Sequence, residues 1–93
     1  MKYKILLLDN DVYACKYLCA IIRSLNKMVE NNIFEIAFCT SAAQAIYQCI
    51  NSQHSPDILL VDMELNDISG IRVIEEIRSR SDSIGIIGIT SYP

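Results

Sequence analysis

Two runs of four apolar residues, Ile5-Leu6-Leu7-Leu8 and Ile58-Leu59-Leu60-Val61, each stop at an aspartate, Asp9 and Asp62. A strand with one wet face alternates apolar with polar residues. An unbroken run of this length therefore reads as a strand covered on both faces, the pattern of a parallel sheet between helices. Few architectures satisfy that requirement, and all of them are layered. What remains to be explained is why the buried run twice gives way to a carboxylate.

Between the two runs the period changes. Lys4–Leu8 is the first strand; from about Val12 to Leu25 apolar residues recur at three and four (Cys15, Leu18, Cys19, Ile22, Leu25), which predicts a helix with Asp11 or Asn10 as its N-cap. Asn31-Asn32 is turn material, and Phe34, Ile36 and Phe38 alternate with Glu35, Ala37 and Cys39 as a second, less buried strand suited to a sheet edge. Ser41 and Gln44 form an S-x-x-Q capping box opening a helix whose apolar face is Ala42, Ala45, Ile46, Cys49 and Ile50, closed by residues 51–56. After the third strand, Ile58–Val61, Gly70 marks a loop. Ile71, Val73, Ile74 and Ile77 predict a third helix with Glu76 and Arg80 paired across one turn. Ile84–Ile89, closing at Thr90, is the fourth strand, and its glycines allow close approach of a neighbour.

Strand and helix alternate through the whole chain without repeats or linkers, so the expected fold is α/β, a flavodoxin-like doubly wound parallel sheet over residues 1–93. The right-handed crossover rule and the common winding of such chains give strand order 2-1-3-4. With 93 residues, 52% hydrophobic and 20% charged, one core is expected and disorder is not. The net charge of -3, without a basic stripe, excludes a nucleic-acid surface within these residues. The apolar run after Lys4 is too short for a signal peptide, and no stretch approaches a membrane span, so a cytoplasmic chain is expected. Cys15, Cys19, Cys39 and Cys49 form no C-x-x-C pair and the single histidine, His54, falls in a polar turn. Buried free thiols are the reading.

Order 2-1-3-4 puts the ends of strands 1 and 3 side by side, so Asp9 and Asp62 converge at the switch point where such sheets bind ligands. Two carboxylates held together repel unless a cation joins them. A hard divalent ion such as Mg2+, which keeps several waters and needs few protein ligands, suits the pair.

These residues carry a resemblance. The segments "LLLDND", "DILLVDMELNDISGIRVIEEIR" and "IIGITSYP" resemble the receiver domain of bacterial two-component response regulators, and more weakly those receivers that precede a LuxR-type helix-turn-helix. The resemblance implies a signalling switch rather than an enzyme. Asp62 would accept a phosphoryl group from a sensor histidine kinase, Asp9 would hold Mg2+ with Asp62 and the backbone carbonyl of Glu64, and the Thr90 hydroxyl would contact the phosphoryl group. It also implies transcriptional output through a DNA-binding domain outside this chain.

Three positions depart from the family. Asn10 stands where a second acidic residue is usual, either holding the ion through a water or merely capping the helix, so Mg2+ affinity falls. Asp11 reads as a cap rather than a replacement ligand. Asn66 replaces a loop proline. The sequence stops at Pro93, short of the family's fifth strand, its lysine and the last helices, and no lysine follows Lys27. Strand 4 would then be an open apolar edge, so a homodimer through Ile84, Ile86, Ile87 and Ile89 is expected. Simpler roles exist for each residue: a loop cap for Asp62, a helix cap for Asp9, a β-branched strand residue for Thr90, packing for Tyr92. Asn10 and the missing lysine motivate a second reading, a receiver that works as an interaction module without phosphorylation. A flavodoxin-like or phosphatase-type enzyme lacks its glycine-rich phosphate loop after strand 1.

Overall fold

A computed structural model of the chain describes residues 2–28, 33–51, 53, 55–65 and 68–90. The turn read at Asn31-Asn32, His54, the Asn66 departure and Tyr92 lie outside these residues. The elements run β1 (Tyr3–Leu8), α1 (Val12–Met28), β2 (Phe34–Cys39), α2 (Ala42–Ile50), β3 (Ile58–Asp62), α3 (Gly70–Arg78) and β4 (Gly85–Ile89). All strand pairs are parallel, in the order β2-β1-β3-β4. No helix among the described residues is long and apolar enough to cross a membrane.

The unbroken apolar runs are explained by two cores, one on each side of the sheet. On one side Leu6, Leu8, Cys39, Leu59 and Val61 pack with Ala42, Ala45 and Cys49 of α2 and Val73 and Ile77 of α3. On the other, Ile5 and Ile36 pack with Cys19 of α1, and Ile22, Phe34, Phe38, Ile58 and Leu60 close around them. Successive residues of β1 point to opposite faces, so both parities must be apolar.

The starts of α1 and α2 follow caps read from sequence, while α3 starts at Ser69, a cap the sequence reading does not name. The Asp11 carboxylate accepts N–H bonds from Tyr13 at 2.9 Å and Ala14 at 3.4 Å, which makes Asp11, not Asn10, the residue that caps α1. Ser41 Oγ accepts the Gln44 N–H at 3.2 Å, and Ser69 Oγ accepts the Arg72 N–H at 3.3 Å.

Four expectations are corrected. Leu25 does not continue the buried stripe of α1: it is 53% exposed, as are Tyr13, Tyr17 and Ile21 to varying degrees, while Asn26 is buried. The reason is polar. The Asn26 amide donates to the Phe34 carbonyl at 2.5 Å and accepts the Phe34 N–H at 3.0 Å, satisfying backbone groups at the open side of an edge strand. Gly70 is the first residue of α3 rather than part of the loop, and Ile71 is exposed, since the α3 face that meets the sheet is carried by Val73 and Ile77. The Glu76–Arg80 pair forms, at 3.5 Å, but Arg80 sits beyond the helix end and both side chains are exposed. Finally, Ile84 is 2% exposed and belongs to the α2–α3 core, with Ile86 half-buried against it. Of the four isoleucines expected at the open edge, only Ile87 and Ile89 are exposed.

Candidate functional site

The site is built where three strands end together. Leu8 lies in register with Val61, so one step further along each strand brings Asp9 beside Asp62. Asp62 in turn pairs with Ile89, and the Met63 N–H donates to the Ile89 carbonyl at 2.9 Å, which sets Thr90 directly past Asp62's neighbour on β4. Asp9, Asp62 and Thr90 are thus brought to one rim by the sheet itself.

Each carboxylate is fixed by a short turn. Asp9 Oδ1 accepts the Asp11 N–H at 2.9 Å, and Asp62 Oδ1 accepts the Glu64 N–H at 3.0 Å. These are Asx-type turns, in which an aspartate reaches the backbone two residues on and so loses rotational freedom. The Asp9 N–H donates to the Cys39 carbonyl at 3.3 Å and the Asp9 carbonyl accepts the Cys15 thiol at 3.3 Å, tying the loop to β2 and α1.

Partial burial raises the Asp9 carboxyl above the usual carboxylate value. The Asp11 N–H opposes that shift, while the Asp62 charge, a hydrogen bond between the two carboxyl groups and the Asp11 charge add to it. Burial leads the shift of Asp9, and the charge of Asp62 beside it adds to it. No three His, Cys, Asp or Glu side chains among the described residues stand close enough to cage an ion. Two carboxylates supplemented by backbone and amide oxygens fit an ion that keeps part of its water, as Mg2+ does. Asn10 is exposed between Asp9 and Asp11, and Glu64 is exposed in the turn that follows Asp62.

The rim lies apart from two clefts elsewhere on the molecule. One cleft of about 410 Å³ is lined by Lys4, Glu35, Ala37 and Tyr47 near the opposite end of the sheet. Another of about 410 Å³ lies between α2 and α3, against Ile46, Ile50, Ile68 and Arg72. Neither borders Asp9 or Asp62.

Sequence reasoning named the charged residues and missed what packs behind them. The Met63 side chain lies against Gly88 of β4 and Gly70 of α3, and a Cβ at Gly70 would also fall 2.9 Å from the Asp62 carbonyl oxygen. Two glycines near Asp62 in sequence or sheet register are a visible signal, but only the fold shows that they meet at one methionine.

Known proteins share this sequence pattern and fold. Residues 5–93 match the family model of the response regulator receiver domain. The chain is 31% identical over 88 residues to the acid tolerance regulatory protein ActR of Rhizobium meliloti (strain 1021), an alignment covering 95% of this chain and 41% of that protein. ActR of Sinorhizobium medicae (strain WSM419) matches equally, so the chain spans about two fifths of the length of these curated relatives. Among solved structures, a CheY-like receiver domain protein from Methanospirillum hungatei JF-1 superimposes with a TM-score of 0.77 at 20% identity, over 100% of this chain and 67% of that one. A CheY-like receiver domain from Methylobacillus flagellatus gives 0.77 at 16% identity, over 99% and 72%.

Proposed function

Because this chain belongs to the response regulator receiver domain family of two-component systems, we propose that Asp62 accepts a phosphoryl group and that the chain is a signalling switch, its only catalysis being its own phosphorylation and dephosphorylation. The observation that carries the reading is the pairing of Asp62 with Asp9 at adjacent strand ends, one acceptor oxygen already held by the Glu64 N–H. With Oδ1 so occupied, Oδ2 attacks the phosphorus of a phosphohistidine on a sensor histidine kinase. The P–N bond breaks, its electron pair stays on the imidazole nitrogen, and an acyl phosphate forms on Asp62.

Asp9, Asp62, the Glu64 carbonyl and, through a water, Asn10 would hold Mg2+. Bound there, the ion offsets the repulsion of the two carboxylates and the charge of the transferred group. Asp9 holds its side of the site through the Asp11 turn, and the Thr90 hydroxyl donates to a phosphoryl oxygen. A pull on Thr90 moves the end of β4, the element whose two positions phosphorylation would bias. The kinase partner implies action in the cytoplasm, and the switch would govern dimerisation or a DNA-binding transcriptional domain outside this chain.

Intact-mass measurement after incubation with Mg2+ and a small acyl phosphate tests the acceptor. The expected result is a gain of about 80 Da, one phosphoryl group, that needs Mg2+ and disappears in Asp62→Asn. Labelling that survives that substitution would sink the assignment. Asn10, which removes a charge from the pocket, favours one other reading: a receiver that binds partners without being phosphorylated. Mg2+-dependent labelling of Asp62 would exclude it.

Self-association belongs to the same proposal. β4 is an edge strand of the described sheet with Ile87 and Ile89 exposed, which favours pairing with a second copy. Light scattering should give a mass that rises with concentration and returns to one chain in Ile87→Lys. A single-chain mass at all concentrations refutes it.

A further inference from the structure

Met63 stands next to the acceptor and is held from two sides by residues that have no side chain. Its N–H donates to the Ile89 carbonyl at 2.9 Å, and its carbonyl lies 3.5 Å from the Gly70 nitrogen. A Cβ on Gly88 would come within 2.9 Å of the Met63 sulfur and 3.3 Å of its Cγ. A Cβ on Gly70 would come within 2.9 Å of the same sulfur and 2.7 Å of the Met63 Cα. Contacts under about 3.0 Å are not tolerated by real Cβ atoms: at Gly70 the obstacle includes backbone, so glycine is required there, whereas at Gly88 it is the Met63 side chain alone, which would have to move. Methionine suits such a slot because it is unbranched and polarizable and fills an irregular gap.

The two glycines belong to different elements. Gly88 lies on β4 two residues before Thr90, and Gly70 is the first residue of α3, pressed on the Asp62 carbonyl. We propose that Met63 is a positioning residue for the acceptor: clamped between Gly88 and Gly70, its thioether sets the orientation of Asp62 and couples it to β4 on one side and α3 on the other. The inference rests on the reading of Asp62 as phosphoacceptor. It adds a route by which the site reaches α3 and the cleft beside it. A shift of β4 changes the room at Gly88, the sulfur follows, and the first turn of α3 is pushed through Gly70. Packed contacts of this kind transmit a displacement because the interior cannot compress to absorb it.

Reciprocal substitution tests the clamp. Gly88→Ala should slow Mg2+-dependent phosphoryl uptake from a small acyl phosphate by roughly tenfold to a hundredfold, the scale set by misplacing a reacting group by about 1 Å. Met63→Ala in the same chain makes room for the new methyl and should raise the rate from that of Gly88→Ala to that of Met63→Ala alone, although the double variant has lost a packed side chain and melts no higher. Met63→Leu, which keeps an unbranched Cβ and most of the volume, should lose less rate than Met63→Ala. A merely structural role predicts the reverse, rates that follow melting temperature and a double variant no faster than Gly88→Ala. That outcome, or a normal rate in Gly88→Ala, overturns the proposal.

A second measurement separates this inference from the acceptor reading. In 15N-labelled protein without phosphodonor, Gly88→Ala should shift the amide resonances of Glu64 and of residues 70–73, and Met63→Ala should return them toward the parent positions. Shifts confined to β4 refute the coupling. If the unmodified chain takes up no phosphoryl group, the acceptor reading fails while the resonances still decide the role of Met63.

Discussion

Asp9 shows how a single residue carries a conflict between burial and charge. Its carboxyl is pushed above the ordinary value of 3.8, first by burial and then by the neighbouring acids. A raised folded value means that the protonated form is the stabilising one. This contribution is complete below 3.8 and is lost as pH rises through the folded value, leaving an ionised Asp9 that works against the fold at neutral pH. Asp9→Asn keeps an oxygen for the Asp11 N–H and removes the charge. In metal-free solution at neutral pH it should therefore melt above the parent chain, with the difference closing as pH falls below 3.8. Thermal melts across that range check it, and a neutral-pH loss of stability in the variant would contradict the assigned strain. The charge pattern was legible at this scale because an apolar run that ends in aspartate is conspicuous. The crowding was not, since it depends on where another strand ends.

At the scale of elements, the short β2 strand depends on a side chain from α1. Asn26 pairs with both the N–H and the carbonyl of Phe34, so the edge strand begins with its backbone satisfied instead of open. Removing the amide leaves two partly buried groups without these partners, which costs about 1–3 kcal/mol. Asn26→Ala should lower unfolding free energy in urea by that amount, and Asn26→Asp, which still accepts the Phe34 N–H but cannot donate, should fall between. A loss below about 0.5 kcal/mol would show that water substitutes freely. Periodicity favours Leu25 for this position because a one-dimensional pattern ranks residues by hydrophobicity alone. The strand's unpaired backbone is visible only when α1 and β2 are placed together. Ile71 fails in the same way: its spacing fits a stripe, but the direction from which the sheet meets α3 selects Val73 and Ile77.

The whole molecule sets its alkaline limit through four buried thiols. Burial is the main cause in each: Cys39 is pushed up to about 12, Cys15 and Cys49 to about 11, and Cys19 upward in the same direction. Unfolded thiols lose their protons near 9.0 while the native ones keep theirs. Stability is therefore retained below 9.0 and should fall as pH rises from there toward 11 and 12. Denaturant midpoints across that range check the trend, and an alkylating reagent at neutral pH should label the native chain slowly and the unfolded chain at once. A flat alkaline profile would show that the thiols are not protected. The sequence by itself determined the alternation of strands and helices, the parallel sheet and its order, the caps at Asp11 and Ser41, and the candidacy of Asp9 and Asp62. Each of these follows from local periodicity, chain-handedness rules or side chains that bond their own neighbours. Tertiary structure alone decided that Asn26 is buried instead of Leu25, that Ile84 and Ile86 serve the core rather than the edge, and that Met63 fills the gap between Gly70 and Gly88. Those outcomes depend on distances between segments far apart in the chain, and such distances exist only once the layers have packed.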